Sequence, residues 1–311
     1  MRDYLTRMVR FVPGLSRALD RKDEEIDRLR AFAATARREM DGLRAEVSSK
    51  NKELADAWAH AHRLDDALQR LDGIFRSADY NSDSLMVFNK NLSFLRDPRF
   101  MAAYRRGVHS GHRLGSPYGV GEDIHIEWRV HVACWAAARA RNLPGCLVEC
   151  GVNTGILSLA VCEYTDFNAS GKDFYLFDTY RGIPEAQMRP AERAARTQEN
   201  ADIYEECFEV ARRNFAPFPR AHLVRGLVPD TLSTVPIDRV SYLSIDMNIA
   251  DPEIAAMNYF WDKLVPGAAV ILDDYGWANY RLQQEAHDQF AAEKGVPILL
   301  LPTGQGLIIK P

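Results

Sequence analysis

The 311-residue chain is short of several things, and each shortage closes off a class of protein. It has five cysteines, at 134, 146, 150, 162 and 207, an odd number without metal-ligand spacing. A disulfide scaffold and a zinc finger are therefore excluded, and Cys146 and Cys150, at either end of a short apolar run, read as small core residues. Unpaired thiols suit a reduced, cytoplasmic setting. No apolar run is long enough to span a bilayer, and the first residues lack the apolar core of a signal peptide. Charge of one sign is also scarce: a net charge of −4 argues against bulk nucleic-acid binding. Proline is missing from residues 22–75, which permits one unbroken helix there.

What fills that span is a seven-residue repeat. With Ile26 at position a, the a series is Ile26, Ala33, Met40, Val47, Leu54, Ala61, Leu68 and Phe75. The d series is Leu29, Ala36, Leu43, Lys50, Ala57, Leu64 and Leu71, and only Lys50 breaks the apolar seam. A stripe so narrow and long fits a coiled coil better than a helix lying on a globular core. At 1.5 Å per residue it would extend roughly 75 Å, and its expected role is homo-oligomerisation. Before it, residues 1–21 form a basic amphipathic leader with Arg2, Arg7, Arg10 and Arg17 beside Leu5, Met8, Val9, Phe11 and Val12. That composition suits either a peripheral membrane contact through residues 1–20 or a leader packed on the next helix. Pro13-Gly14 interrupts any helix there.

Residues 76–125 lose the repeat and carry Asp97-Pro98, Gly107, Gly111, Gly115, Ser116-Pro117 and Gly119-Val120-Gly121. They read as a hinge followed by a lid or acceptor region of loops and short helices. A helix is expected from about Ile126 to Arg141. From there to the end, over residues 126–311, strands and helices alternate. Strands are expected at 146–150, 174–178, 221–225, 240–246, 268–273, 297–301 and 306–310, with helices near 155–165, 202–214, 253–264 and 280–294. Such alternation specifies a mostly parallel α/β sheet with helices on both faces. Only Pro302-Thr303-Gly304-Gln305-Gly306 joins the last two strands, too few residues for a crossover, so the last strand runs antiparallel.

The first of these strands ends in Glu149-Cys150-Gly151-Val152-Asn153-Thr154-Gly155, an acid and then two glycines four apart that open a helix. A dinucleotide fingerprint would place glycine where Glu149 stands, and a carboxylate there repels phosphate. The pattern suits a ligand with an amino-acid end, S-adenosylmethionine first among them, with Glu149, Gly151 and Gly155 as contacts. Asp178 closes the second strand at the distance where an acid accepts from ribose hydroxyls. Asp246 and the pair Asp273-Asp274 close two further strands. Three carboxylates on one edge repel, so something positive belongs between them, and a hard divalent cation such as Mg²⁺ meets that need through oxygen ligands. Asp246 is also the candidate general base for a hydroxyl proton.

Four stretches together, Glu149-Cys150-Gly151-Val152, Phe177-Asp178-Thr179-Tyr180-Arg181-Gly182-Ile183-Pro184, Ile245-Asp246 and Leu272-Asp273-Asp274-Tyr275-Gly276, resemble the macrocin-type O-methyltransferases, which methylate sugar hydroxyls of macrolides and of novobiocin. The resemblance covers roughly residues 127–311 and implies a Rossmann-like class I methyltransferase fold, S-adenosylmethionine, a Mg²⁺-dependent site and a hydroxyl-bearing, saccharide acceptor. It places metal ligation on Asp246, Asp273 and Asp274, and cofactor contacts on Glu149, Gly151 and Asp178. One departure stands out: where the family carries a second acid after the fourth strand, this chain has Asn248. That amide motivates the alternative of a coiled-coil scaffold or spacer with a secondary or inactive catalytic domain. Glu149 and the terminal hairpin disfavour a nicotinamide oxidoreductase. His125, His131 and His287 are other candidate bases, and Glu127 and Arg129 are either contacts to the cofactor's amino-acid end or a structural ion pair.

Overall fold

The computed structural model describes residues 13–113 and 119–311, so residues 1–12 of the basic leader and the Gly115 and Ser116-Pro117 turn signals lie outside the described residues. The chain divides into two units, Met1–Ser77 and Ala78–Pro311. The described residues of the first form one helix, α1 (Pro13–Ser77), of 65 residues. It begins earlier than the repeat because Pro13, which has no N–H to lose and a fixed φ, suits the first helical position. Apolar residues of the repeat, among them Leu29, Leu43, Val47, Leu64 and Leu68, are exposed along it. Lys50 spans 3.3 Å to Glu53 on its own helix. Among the described residues no helix is long and apolar enough to cross a membrane.

The second unit opens with a hairpin, β1 (Tyr80–Ser82) and β2 (Leu85–Val87), where the sequence suggested only a hinge. Asp83 and Ser84 both take positive φ in its two-residue turn, which a type I′ turn requires. Asp-Ser lacks the glycine that usually announces such a turn. Next comes α2 (Pro98–Val108), begun by the Asp97-Pro98 pair that reads as a loop signal: Asp97 caps the helix by accepting from the Arg99 N–H at 2.9 Å. Then follow α3 (Glu127–Ala140), β3 (Cys146–Cys150), α4 (Ile156–Tyr164) and β4 (Phe174–Asp178). Then α5 (Pro190–Asp202), unmarked in the sequence, ends where a helix over 202–214 is expected, and that stretch holds only the shorter α6 (Phe208–Phe215), before β5 (Ala221–Arg225) and β6 (Val240–Ile245). The chain ends with α7 (Ala250–Trp261), β7 (Leu264–Leu272), α8 (Arg281–Lys294), β8 (Leu299–Leu300) and β9 (Gly306–Ile309).

Strands β3 to β9 form one sheet in the order β5-β4-β3-β6-β7-β9-β8, parallel except for β9, which pairs antiparallel with both β7 and β8. This is the class I methyltransferase sheet, with its antiparallel strand where the short Pro302–Gly306 link demanded one. Each face has its own core. Phe100, Val130, Leu157 and Phe174 pack on one side, and Val148, Leu243, Met257 and Phe290 on the other. Central strand β6 is buried along its whole length, as a strand covered on both faces must be.

Candidate active site

Parallel register builds the site. Cys150 pairs with Phe177 and with Ile245, and Ile245 pairs with Leu272. The residues one step beyond, Asp178, Gly151, Asp246 and Asp273, therefore come abreast in a single row at the carboxyl edge. Backbone hydrogen bonds carry the ladder into that row: Asp246 N donates to Cys150 O at 2.8 Å, and Asp273 N to Ile245 O at 2.9 Å. Above it opens a cavity of about 290 Å³ whose lining includes Glu149, Gly151, Asp178, Asp246, Asp273 and Asp274. Gly155, His125, Glu127, His131 and His287 lie outside that lining.

Gly151 answers to the neighbouring strand. It sits at φ +89, and a Cβ there would lie 1.7 Å from the Asp246 carbonyl oxygen. Gly155, at φ +102, would drive a Cβ into the Phe215 ring at 2.6 Å, so packing accounts for that glycine. Asp178 holds the same turn from the side. Its Oδ2 accepts from the N–H groups of Val152 and Asn153 at 2.5 and 2.7 Å, and its Oδ1 from the Tyr180 N–H at 2.5 Å. Glu149 is buried beneath the turn with Oε2 unpartnered, and burial pushes its carboxyl up to about 8.

One carboxylate oxygen each from Asp246, Asp273 and Asp274 lies within 4.8 Å of the others. Tyr275-Gly276 supplies the turn that lets consecutive acids share a side; the Gly276 N–H donates to the Gly304 carbonyl at 2.6 Å. Burial and the neighbouring acids hold Asp246 and Asp274 well above the usual carboxylate range. The positive charge expected among them is already present in part. Arg129 Nη1 donates to Asp273 Oδ2 at 2.7 Å, while its Nε and Nη2 reach the two oxygens of Asp83 at 3.0 and 3.3 Å. Gln305 Nε2 donates to the other Asp273 oxygen at 2.8 Å. Asp274 Oδ2 is buried without a partner, so the cluster retains oxygen donors for a hard cation.

The other sequence candidates separate from the site. His287 is buried against Glu253 at 2.9 Å, and Glu253 in turn accepts from the Met247 N–H at 3.1 Å, supporting the loop that carries Asp246. His131 stacks on Phe94 with ring centroids 4.3 Å apart. His125 and Glu127 pair with each other at 3.3 Å, and Tyr80 donates to Glu127 at 2.9 Å. Glu127 is thus a structural partner, and Arg129 belongs to the acid cluster. Asn248 turns to Tyr204, donating to its hydroxyl at 3.0 Å.

Several lining residues escape sequence reasoning. His112 is fully buried, and burial lowers its pKa. Tyr204, Glu199 and Tyr280 form a second wall in which Tyr280 donates to Glu199 at 3.1 Å and the buried Arg196 stacks 3.9 Å over the Tyr280 ring. Nothing in the spacing of these residues marks them. Arg129 did carry a signal: it is in line with Ala133, Ala136 and Ala140 on the buried stripe of α3, where a cation implies a buried acid.

The family model for macrocin-O-methyltransferase matches residues 129–301. Among curated relatives, the 8-demethyl-8-(2,3-dimethoxy-alpha-L-rhamnosyl)-tetracenomycin-C 4'-O-methyltransferase of Streptomyces olivaceus is 26% identical over 149 residues, 46% of this chain and 57% of that protein. The demethyldecarbamoylnovobiocin O-methyltransferase of Streptomyces niveus is 27% identical over 143 residues, 43% of this chain and 54% of that protein. The chain thus spans little more than half the length of these relatives. Among solved structures, the O-methyltransferase NovP superposes with a TM-score of 0.55 at 19% identity, covering 71% of this chain and 99% of that one. The calicheamicin methyltransferase CalS11 gives 0.50 at 18%, covering 61% and 81%. Both share the fold.

Proposed function

The chain belongs to the macrocin-O-methyltransferase family, whose model spans more than half of it, and from that premise we propose that it transfers a methyl group from S-adenosylmethionine to a hydroxyl of a sugar, glycoside or glycan in a Mg²⁺-dependent reaction. The observation that carries the reading is the single register row that gathers Asp178, Gly151, Asp246 and Asp273 under one cavity. The tetracenomycin relative acts on a rhamnosyl-bearing substrate by name, which supports a saccharide acceptor. The cysteines are free, which supports a cytoplasmic location.

Each residue has a role in this proposal. Glu149 and the Gly151 turn border the donor side of the cavity, and Asp178, rigid through its bonds to the turn, offers the one lone pair left on Oδ1 to a ribose hydroxyl. Asp246, Asp273 and Asp274 would hold the cation, whose chemistry when bound is to lower the pKa of an acceptor hydroxyl. The acceptor oxygen attacks the sulfonium methyl, the C–O bond forms as the C–S bond breaks, and the hydroxyl proton passes to Asp246. Tyr204, Tyr280 and Glu199 face the acceptor side, where aromatic rings and a carboxylate match the apolar faces and hydroxyls of a sugar. Asn248 serves this wall through Tyr204, so an amide there need not disable the cluster.

Titration calorimetry with S-adenosylmethionine tests the reading directly, and absence of binding with and without Mg²⁺ would overturn it. Asp246→Ala should lower transfer at least roughly 100-fold, the scale of a lost general base, while cofactor binding persists. Full activity in that variant would remove Asp246 from the chemistry.

The same proposal makes α1 one strand of a parallel, self-associating coil. Its support is the exposed apolar seam, joined by charges beside it: Glu25 with Arg30, and Glu39 with Arg44, fall at g and following e positions, where parallel in-register partners attract.

A further inference from the structure

The Asp83–Arg129–Asp273 bridge joins the acid cluster to a hairpin that no step of the proposed chemistry uses. Its geometry is specific. Arg129 spends two of its N–H donors on both oxygens of Asp83, at 3.0 and 3.3 Å, and another on Asp273 Oδ2 at 2.7 Å. All three side chains are largely buried, at 18%, 10% and 5% exposure. The Trp277 ring backs the guanidinium at 5.6 Å from its centroid. An arginine in such a place cannot lose its proton, so any second cation brought to Asp273 meets a permanent positive charge.

We propose that Arg129 is a resident counter-ion which competes with a divalent cation for Asp273, and that Asp83 is the second seat which retains the guanidinium when the cation takes that carboxylate. This rests on the divalent-cation site of the proposed function and adds a positioning role for Arg129 and Asp83, which ligate nothing there. Asp83 makes the exchange affordable because the fork-shaped guanidinium keeps two charge-assisted hydrogen bonds after releasing Asp273. Gln305, donating to Asp273 Oδ1 at 2.8 Å, fixes the carboxylate while its other oxygen changes partner. The hairpin turn is built to present Asp83: both turn residues sit at positive φ, and Asp83 faces Arg129 across a separation of 46 residues in sequence.

The test is the affinity of the full chain for Mn²⁺, a paramagnetic stand-in for Mg²⁺, measured from the free-ion electron paramagnetic resonance signal. Asp83→Asn strands Arg129 on Asp273 and should weaken Mn²⁺ binding roughly tenfold or more, the usual scale of coupling between two sites. Arg129→Gln removes the competitor and should tighten binding by a similar factor. Asp83→Glu restores the seat and should return the affinity to near the wild-type value, an outcome a merely structural role would not give. Thermal melts confirm that each variant folds; if Arg129→Gln does not, the Asp83→Asn and Asp83→Glu pair decides. Unchanged affinity in Asp83→Asn, weaker binding in Arg129→Gln, or no Mn²⁺ binding by the wild type would overturn the proposal. Calorimetry with S-adenosylmethionine alone separates the two ideas: its failure with the Mn²⁺ pattern intact refutes methyl transfer and spares the exchange.

Discussion

Glu149 shows how much one residue's chemistry depends on what surrounds it. In the strand-end pattern it reads as a carboxylate that repels phosphate, whereas burial pushes its carboxyl from 4.5 up to about 8 and so keeps it protonated near neutral pH. The folded chain then holds a proton that the unfolded chain has released. Glu149's contribution to stability is therefore complete below about pH 4.5 and is lost as pH rises toward 8. Each pKa unit corresponds to about 1.4 kcal/mol, so Glu149→Gln, which fixes the neutral form, should gain on the wild type by an amount on the order of a few kcal/mol across that range. Thermal melts of both proteins from pH 5 to 8 would show the gap widening; parallel curves would mean that the carboxyl titrates normally. Asp178 teaches a related lesson. Its place at a strand end points to a ribose, while its bonds to Val152, Asn153 and Tyr180 show that it also braces the turn. A strand-end acid can do both, since Oδ1 keeps a lone pair beyond its bond to Tyr180.

At the scale of elements, α1 is the clearest case among the described residues of an apolar pattern left exposed. Its a and d residues Ile26, Leu29, Met40, Leu43, Val47, Leu54, Leu64 and Leu68 are 43–63% exposed, and helical stability in proteins comes mostly from packing an apolar face. Placing aspartate at two d positions, Leu43→Asp with Leu64→Asp, should dissociate the coil. Sedimentation equilibrium is expected to show an oligomer for the wild type and a monomer for the variant, with a loss of far-ultraviolet helical signal. A wild-type monomer would remove the oligomer proposal. Elements that the sequence disguises share a cause. The β1–β2 turn uses Asp-Ser in place of a glycine-containing pair, and α2 begins at an Asp-Pro that equally suits a loop. In both, local propensity is ambiguous, and tertiary partners select the outcome: Arg129 binds Asp83, and Gly107 of α2 lies against α4, where a Cβ would come 2.3 Å from the Ile156 carbonyl oxygen.

For the molecule as a whole, two units with separate requirements imply separable behaviour. Residues 78–311 contain both core layers and every cavity-lining residue, so that fragment should melt cooperatively and bind S-adenosylmethionine with unchanged affinity. Calorimetry and a thermal melt on the fragment check this; loss of binding would tie the coil to the site. By itself the sequence determined the heptad seam, the strand order's closing hairpin, and the acids that end β4, β6 and β7, because periodicity, link length and strand-end polarity are local properties. Only the tertiary structure decided that Arg129 shares Asp273 with Asp83, that Gly151 is required by the Asp246 backbone, and that Tyr204, Glu199 and Tyr280 face the cavity. Those facts depend on which residues, far apart in the chain, the parallel register and the packing of helices bring within 3 Å or so, the range in which hydrogen bonds and ion pairs act. No pattern within a single segment records such distances.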